Sequence, residues 1–209
     1  MIAIIDYGMG NVKSIFNALG YLGQEAVITA DPKVIDGVSH LILPGVGAFG
    51  DAMMNLKKRG LVEILNQQVL EKGKPFLGIC LGLQLLAKRS QEHGYHEGLG
   101  WFDAEVIKFK FEEVNLKIPH IGWDDITPLV DHPIFANLKE NEFTFYFVHS
   151  HYIVCHQPQN VAATCDYGIT FHAVIFKDNV IATQFHPEKS QDNGIQILDN
   201  FVNWRPKRC

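Results

Sequence analysis

A cysteine held between two glycines opens the chemical reading of this chain. In Gly78-Ile79-Cys80-Leu81-Gly82 the apolar run from Pro75 to Ile79 reads as a strand, and Cys80 to Lys88 reads as a helix with Leu81, Leu85 and Leu86 inward. Cys80 therefore falls on a sharp strand-to-helix turn, which pushes its side chain out at the sheet edge. Gly78 and Gly82 lie where such a turn leaves little room. This is the logic of a nucleophile elbow with sulfur in place of a hydroxyl. A helix N-terminus favours the anionic thiolate. The next amide, Leu81 N–H, points toward a developing oxyanion. The competing reading is a buried structural thiol, the ordinary fate of an isolated cysteine.

A thiolate that attacks an acyl carbon needs a proton carrier working near neutral pH, and histidine serves best. The chain has 10 histidines, so residue type alone selects none of them. Gln184-Phe185-His186-Pro187-Glu188 follows the apolar run from Val180 and so sits at a strand end. In extended geometry His186 and Glu188 share a side, where the carboxylate would orient the imidazole. Cys80, His186 and Glu188 are the expected triad. The competing reading of the pair is a surface histidine beside a surface carboxylate.

Pro44-Gly45-Val46-Gly47 follows another buried strand. Its small residues let backbone approach a ligand or turn a peptide N–H toward it. It lacks the ending of a phosphate loop, and Gly8-x-Gly10 is only a fragment of a dinucleotide fingerprint. His149-Ser150-His151 ends an aromatic stretch, with His149 and His151 expected on one strand face. No acidic or cysteine partner stands at metal-site spacing, even with His120 or His156 added, so a pocket rim is expected rather than a metal centre.

These groups need a frame. Ile2–Ile5, Ala26–Thr29, His40–Leu43 and Pro75–Ile79 are short, continuously apolar runs, as expected of parallel strands buried on both faces. Between them Asn11 caps a helix whose apolar positions, Val12, Ile15, Phe16 and Leu19, are spaced three and four apart, and Asp31-Pro32 opens a short turn. Helical segments follow over 49–56 and 61–71. The second half changes grammar. Residues 91–100 read as a loop. Strands are expected over 104–111, 143–148, 161–165, 170–176 and 180–185, with Asp178-Asn179 turning between the last two. A final helix spans 191–202. The fold class is α/β, a mostly parallel sheet with helices on both sides and an antiparallel addition, read as a single domain over 1–209.

Composition agrees. With 209 residues, 47% hydrophobic and 20% charged, the chain is a globular one. A net charge of −5 does not favour nucleic-acid binding. No apolar run approaches the ~18 residues of a membrane span, and no basic segment precedes Ile2, so neither span nor signal peptide is expected. The 4 cysteines (80, 155, 165 and 209) form no disulfide scaffold, and a reducing cytoplasm is the expected location.

With these residues on the page, the chain resembles the class I glutamine amidotransferases. Within them it is similar to the glutaminase subunits of imidazole glycerol phosphate synthase. The matching segments include Asp6-Tyr7-Gly8-Met9-Gly10-Asn11, Leu43-Pro44-Gly45-Val46-Gly47, Gly78 to Gln84, Gly98-Leu99-Gly100, Pro119-His120-Ile121-Gly122-Trp123, Tyr146 to Ser150 and Gln184 to Ser190. The resemblance implies a flavodoxin-like fold, no cofactor, and L-glutamine as substrate. Cys80 would attack the carboxamide, with His186 as acid and base. Val46 and Leu81 would supply the oxyanion hole, its glycine-strand peptide turning to complete it. Gly45, Gly47, Gln84, Ser150 and His151 would hold glutamine. Asn11, Pro119, Trp123, Tyr146 and Lys189 would face a (β/α)8-barrel cyclase that receives ammonia through a closed channel, giving a heterodimer switched on by the partner's ligand.

Two positions depart from the pattern that the resemblance implies. Asp124 stands where asparagine is usual and His151 where tyrosine is usual. They keep open a paralogue that supplies ammonia to a surface-sugar amidotransferase. A stand-alone cysteine hydrolase and a non-catalytic binding subunit are the other readings.

Overall fold

The computed structural model describes residues 1–111, 116–138 and 143–206, which leaves Cys209 outside the described residues. The strands are β1 (Ile2–Ile5), β2 (Ala26–Thr29), β3 (His40–Gly45), β4 (Phe76–Cys80), β5 (Arg89–Ser90), β6 (His96–Glu97), β7 (Ala104–Lys108), β8 (His120–Pro128), β9 (Thr144–His149), β10 (His151–Cys155), β11 (Val161–Asp166), β12 (Thr170–Lys177) and β13 (Val180–Thr183). The helices are α1 (Val12–Tyr21), α2 (Pro32–Gly37), α3 (Phe49–Lys58), α4 (Leu61–Leu65), α5 (Leu81–Gln84) and α6 (Gln191–Asn203). A π turn over Asn66–Glu71 prolongs α4.

One nine-stranded sheet runs β2-β1-β3-β4-β13-β12-β11-β8-β9, and a four-stranded sheet runs β10-β7-β5-β6. The first five strands of the large sheet pair in parallel, and the rest pair antiparallel. The doubly apolar early runs explain this. In β1, Ala3 and Ile5 join one core with α3, α4 and the small sheet. Ile2 and Ile4 join the other with α1 and α6. Strand alternation thus feeds a separate core on each face of the parallel half.

Asn11 does cap α1, its Oδ1 accepting from Ser14 N at 3.4 Å, and Asp31 caps α2, accepting from Lys33 N at 2.9 Å. The expected helix over 80–88 is corrected: α5 is a single turn. Leu86 and Ala87 donate back only three residues, to Leu83 and Gln84. The carbonyls of Leu85, Leu86, Ala87 and Lys88 accept instead from Leu99, Phe102, Gly100 and Gly98. The glycine segment 98–100 takes the bonds that a longer helix would have used.

Four strands lie outside the expected set, β5, β6, β8 and β10. In β8 only His120 and Ile126 are buried, and glycine and two aspartates mask the alternation between them. The expected loop over 91–100 contains β6, paired with β5. Among the described residues no helix is long and apolar enough to cross a membrane.

Candidate active site

Two parallel neighbours, β4 and β13, bring the chemistry together. Thr183 pairs with Ile79, so both strands end at the same sheet edge. Cys80 is the last residue of β4, and His186 lies three residues beyond Thr183. Ligand sites in open α/β sheets form outside such carboxyl ends. On the other side of β4, Gly45 is in register with Cys80.

The elbow is strained as its sequence requires. Cys80 has φ +54° and ψ −109°, a region that residues with a Cβ rarely occupy. The glycines make the turn sterically feasible. A Cβ on Gly82 would collide with the Leu43 carbonyl, and one on Gly78 would lie 2.9 Å from the Gly82 carbonyl oxygen. A Cβ on Gly45 would come within 2.7 Å of the Leu81 Cβ. Cys80 is 6% exposed. Its Sγ lies 3.8 Å from the Val148 carbonyl oxygen, and Gln184 Nε2 donates toward it at 3.7 Å.

His186 and Glu188 meet, though not by the expected route. The chain is not extended there: Pro187–Lys189 forms a 3-10 turn that folds Glu188 back. Nδ1 of His186 lies 2.9 Å from Glu188 Oε1, and their side chains are only 2% and 1% exposed. Ser190 Oγ donates to the His186 carbonyl at 2.7 Å and accepts from Tyr146 N at 3.0 Å, which ties the turn to β9. Burial works against the charged imidazole. The negative charge of a Cys80 thiolate, a bond to that sulfur and Glu188 outweigh it and carry the His186 pKa up to about 10. Burial, with a lesser contribution from nearby aspartates, pushes the thiols of Cys155 and Cys165 up to about 12, so they stay inert at neutral pH.

A cavity of about 300 Å³ opens on these groups. Of the sequence-predicted residues, Val46, Gly47, Cys80, Leu81, Gln84, Ser150, His151 and His186 line it, together with Pro119. Gly45 is not in the wall; it is packed behind, against Leu81 and Tyr7. Gly47 has φ +99°, which favours glycine at this rim. A larger and more open hollow of about 740 Å³ beside α3 holds none of the triad groups. The Tyr7 hydroxyl is buried beside Gly45 with no hydrogen-bond partner among the described residues, and burial, aided by the Cys80 charge, pushes its pKa up.

Sequence reasoning missed two participants. Gln184 joins Gln84 and Cys80: Gln84 Nε2 donates to Gln184 Oε1 at 3.1 Å and to the His151 carbonyl at 2.8 Å. The signal was available, since Gln184 and His186 are two apart in one segment. Glu92 was hidden in the expected loop; its Oε1 lies 3.5 Å from His151 Nδ1 and its Oε2 accepts from Phe49 N at 2.7 Å. His149 lines the cavity with Ser150 and His151, in keeping with the pocket rim expected of that segment. The expectation that His149 and His151 share a strand face is corrected. The chain bends at Ser150, β9 ends and β10 begins, and His149 Nδ1 instead bonds the His151 carbonyl at 2.8 Å.

The expected partner-facing residues divide. Trp123 and Tyr146 are cross-strand neighbours on β8 and β9, with ring centroids 5.8 Å apart. Lys189 Nζ lies 5.8 Å from the Tyr146 ring centre. Trp123 and Ile121 are 45% and 59% exposed, side by side on one face of β8. Asn11 is engaged as a cap and Pro119 lines the cavity.

Comparison with known proteins places the chain. Residues 3–204 match the glutamine amidotransferase class-I family. The chain is 50% identical over 209 residues to imidazole glycerol phosphate synthase subunit HisH 2 of Nitrobacter winogradskyi, covering 98% of this chain and 99% of that protein. It is 46% identical over 202 residues to the subunit of the same name from Methanococcus maripaludis, covering 97% and 98%. Among solved structures, PurLQS from Thermotoga maritima superposes with a TM-score of 0.74 at 18% identity over 97% of each chain, which supports the fold alone.

Proposed function

Because the chain belongs to the class I glutamine amidotransferases and, within them, to the HisH subunits of imidazole glycerol phosphate synthase, we propose that it hydrolyses L-glutamine and passes the ammonia to a cyclase partner in histidine biosynthesis. The observation that carries this is the elbow thiol beside a buried His186–Glu188 pair at the mouth of one cavity.

The Cys80 thiolate attacks the carboxamide carbon of glutamine. The C=O electrons move onto oxygen, and Leu81 N–H with a backbone N–H at Val46 receives that charge. Such donors are worth about 10²–10³ in rate each. His186, charged through Nδ1–H held by Glu188, gives its Nε2 proton to the amide nitrogen, and ammonia leaves. The resulting thioester is opened by water. Neutral His186 takes the water's proton, glutamate departs, and the thiolate–imidazolium pair returns. Gln84, Ser150 and His151 hold the amino acid end.

Ammonia released in open water becomes ammonium and loses its nucleophilicity, so a closed interface serves the transfer. The exposed Trp123 and Ile121, with Tyr146 and Lys189, fit the face of a (β/α)8-barrel partner in a cytoplasmic heterodimer. Asp124 and His151 favour a second destination, a synthase that forms an amidine on a surface sugar; the glutaminase chemistry is the same. The test is glutamate release by the chain alone and with each candidate cyclase and its ligand. Activity that rises with one partner supports the reading and selects the destination. Equal activity alone and in complex removes the switch, and no thiol-dependent activity in any complex removes the glutaminase.

A further inference from the structure

The four-stranded sheet carries none of the triad, yet it grips the helix that follows the proposed oxyanion donor. Residues 46–48 lead from the end of β3 into α3, and their amides donate to nothing among the described residues. Upstream the segment is fixed, because Gly45 is in register with Cys80 on β4. Downstream it is fixed only if the first turn of α3 is. Ala48, at the cap position of α3, makes no side-chain capping bond. The Phe49 amide is one of the donors that a helix start leaves without a partner inside the helix.

Glu92 takes that donor from across the fold. Its Oε2 accepts from Phe49 N at 2.7 Å, a bond between residues 43 apart in the chain. A carboxylate there is a charged acceptor at the positive end of a helix, the strong case for a hydrogen bond. The side chain is 13% exposed and stands in the cavity lining. Its backbone is anchored in turn. Glu92 N donates to Oγ of the buried Ser90 at 3.2 Å, and Gln91 N donates to the Val106 carbonyl of β7 at 3.3 Å. Two further contacts brace the same turn of α3. A Cβ on Gly50 would lie 2.6 Å from the His96 ring of β6, and one on Gly98 would lie 3.1 Å from Cζ of Phe49. Three points of one sheet and its turns thus close on Phe49 and Gly50.

We propose that Glu92 is a positioning residue for the oxyanion hole: it pins the first turn of α3 and thereby sets the direction of the Val46 N–H. This rests on the reading of the cavity as a glutaminase site. Three residues lie between the fixed Gly45 and the fixed Phe49. Gly47 among them, at φ +99°, is a joint that favours glycine. A donor at Val46 works only when aimed where the oxyanion forms. With no bonds of its own, the segment takes that aim from its two ends. In this role the carboxylate exchanges no proton and forms no covalent bond.

The other oxygen of Glu92 faces His151 Nδ1 at 3.5 Å. That is beyond ordinary hydrogen-bond length, whereas 2.7 Å is at its short end. The Phe49 amide therefore holds the carboxylate, and His151 flanks it.

The experiment measures glutamine kcat and KM in the partner complex for the wild type, Glu92→Gln and Glu92→Ala. Two probes of Cys80 accompany it. The γ-aldehyde of glutamate adds to the sulfur and leaves an oxyanion that needs the hole, while iodoacetamide alkylates the same sulfur by displacement and needs none. Glu92→Ala should lower kcat and weaken aldehyde binding by similar factors, about 10- to 100-fold, up to the lower worth of one oxyanion donor. Its KM and its alkylation rate should move far less. Glu92→Gln keeps an oxygen toward Phe49 N without the charge, and should recover kcat to within about 3-fold of the wild type. His96→Ala removes one brace outside the cavity and should cost a smaller part of kcat. A Glu92→Ala variant that raises KM while kcat and aldehyde affinity hold overturns the proposal, as does a loss of kcat matched by an equal loss of alkylation. If Glu92→Ala does not fold, wild-type kcat and aldehyde affinity in both Glu92→Gln and His96→Ala overturn it. A wild type that cuts no glutamine with any partner overturns the glutaminase reading instead. Hydrogen exchange at the Phe49 amide, which should quicken in Glu92→Gln, then still decides the tether.

Discussion

Two buried histidines meet the same cavity and are driven in opposite directions. His186, beyond β13, faces a thiolate and a carboxylate and is carried up to about 10. His149, at the end of β9, faces a carbonyl and other histidines, and burial takes it down to about 3. Their surroundings differ in charge more than in burial: 2% against 6% exposed. The parallel half of the sheet delivers ions to the site through short strand ends. The antiparallel half delivers an aromatic wall with neutral imidazoles set in it. Two parts of one cavity lining therefore differ in kind, one charged beside the Cys80 thiol and one neutral and set among aromatic rings.

Removing the sulfur should break the reactive wall outright. Cys80→Ala is expected to lower glutaminase activity by about 10⁴-fold or more, with circular dichroism and melting temperature little changed. In the wild type, a glutamine-like electrophile should label Cys80 and spare Cys155 and Cys165, as peptide mass spectrometry would show. Glu188→Gln should cost less, about 10²-fold in kcat, or ~2.7 kcal/mol of barrier. It should also bring the His186 pKa down, since the carboxylate is one of its supports; the pH dependence of Cys80 alkylation checks this. Gly82→Ala should cost about 1–3 kcal/mol in chemical denaturation, because its Cβ meets the Leu43 carbonyl.

The smallest effects are the most diagnostic of the contrast. His149 is depressed below its ordinary 6.5, so its contribution to stability is complete above that pH and is lost as pH falls toward about 3. His186 is raised, so its contribution is complete below 6.5 and is lost as pH rises through about 10. Each titration contributes a slope of at most ~1.4 kcal/mol per pH unit. Relative to wild type, His149→Phe should flatten the acid arm of a stability–pH curve, and His186→Gln the alkaline arm. Both variants changing the same arm would refute the contrast.

Much of the reactive wall was legible in the residues. Gly78, Cys80 and Gly82 declare an elbow because only glycine fits where backbones touch. The continuous apolar runs of β1, β3 and β4 declare parallel strands because both faces are covered. His186 and Glu188 were legible as a pair, but for the wrong reason: a 3-10 turn joins them, and Pro187 favours that turn as much as an extended chain. The aromatic wall was far less legible. Nothing local told Ser150 to bend the chain between β9 and β10 or told β8 to pair with both β9 and β11.

By itself, then, the order of residues determined the strand–helix frame of the first half and pointed to the proposed nucleophile and its proposed proton carrier. These depend on neighbours in the chain and on steric rules that act over a few residues. Only the tertiary structure decided that Gln184 would reach Cys80 and that Glu92 would stand at the rim, bonded to the Phe49 amide. Those contacts join segments far apart in sequence, and their chemistry appears only when packing removes water and fixes which atom faces which.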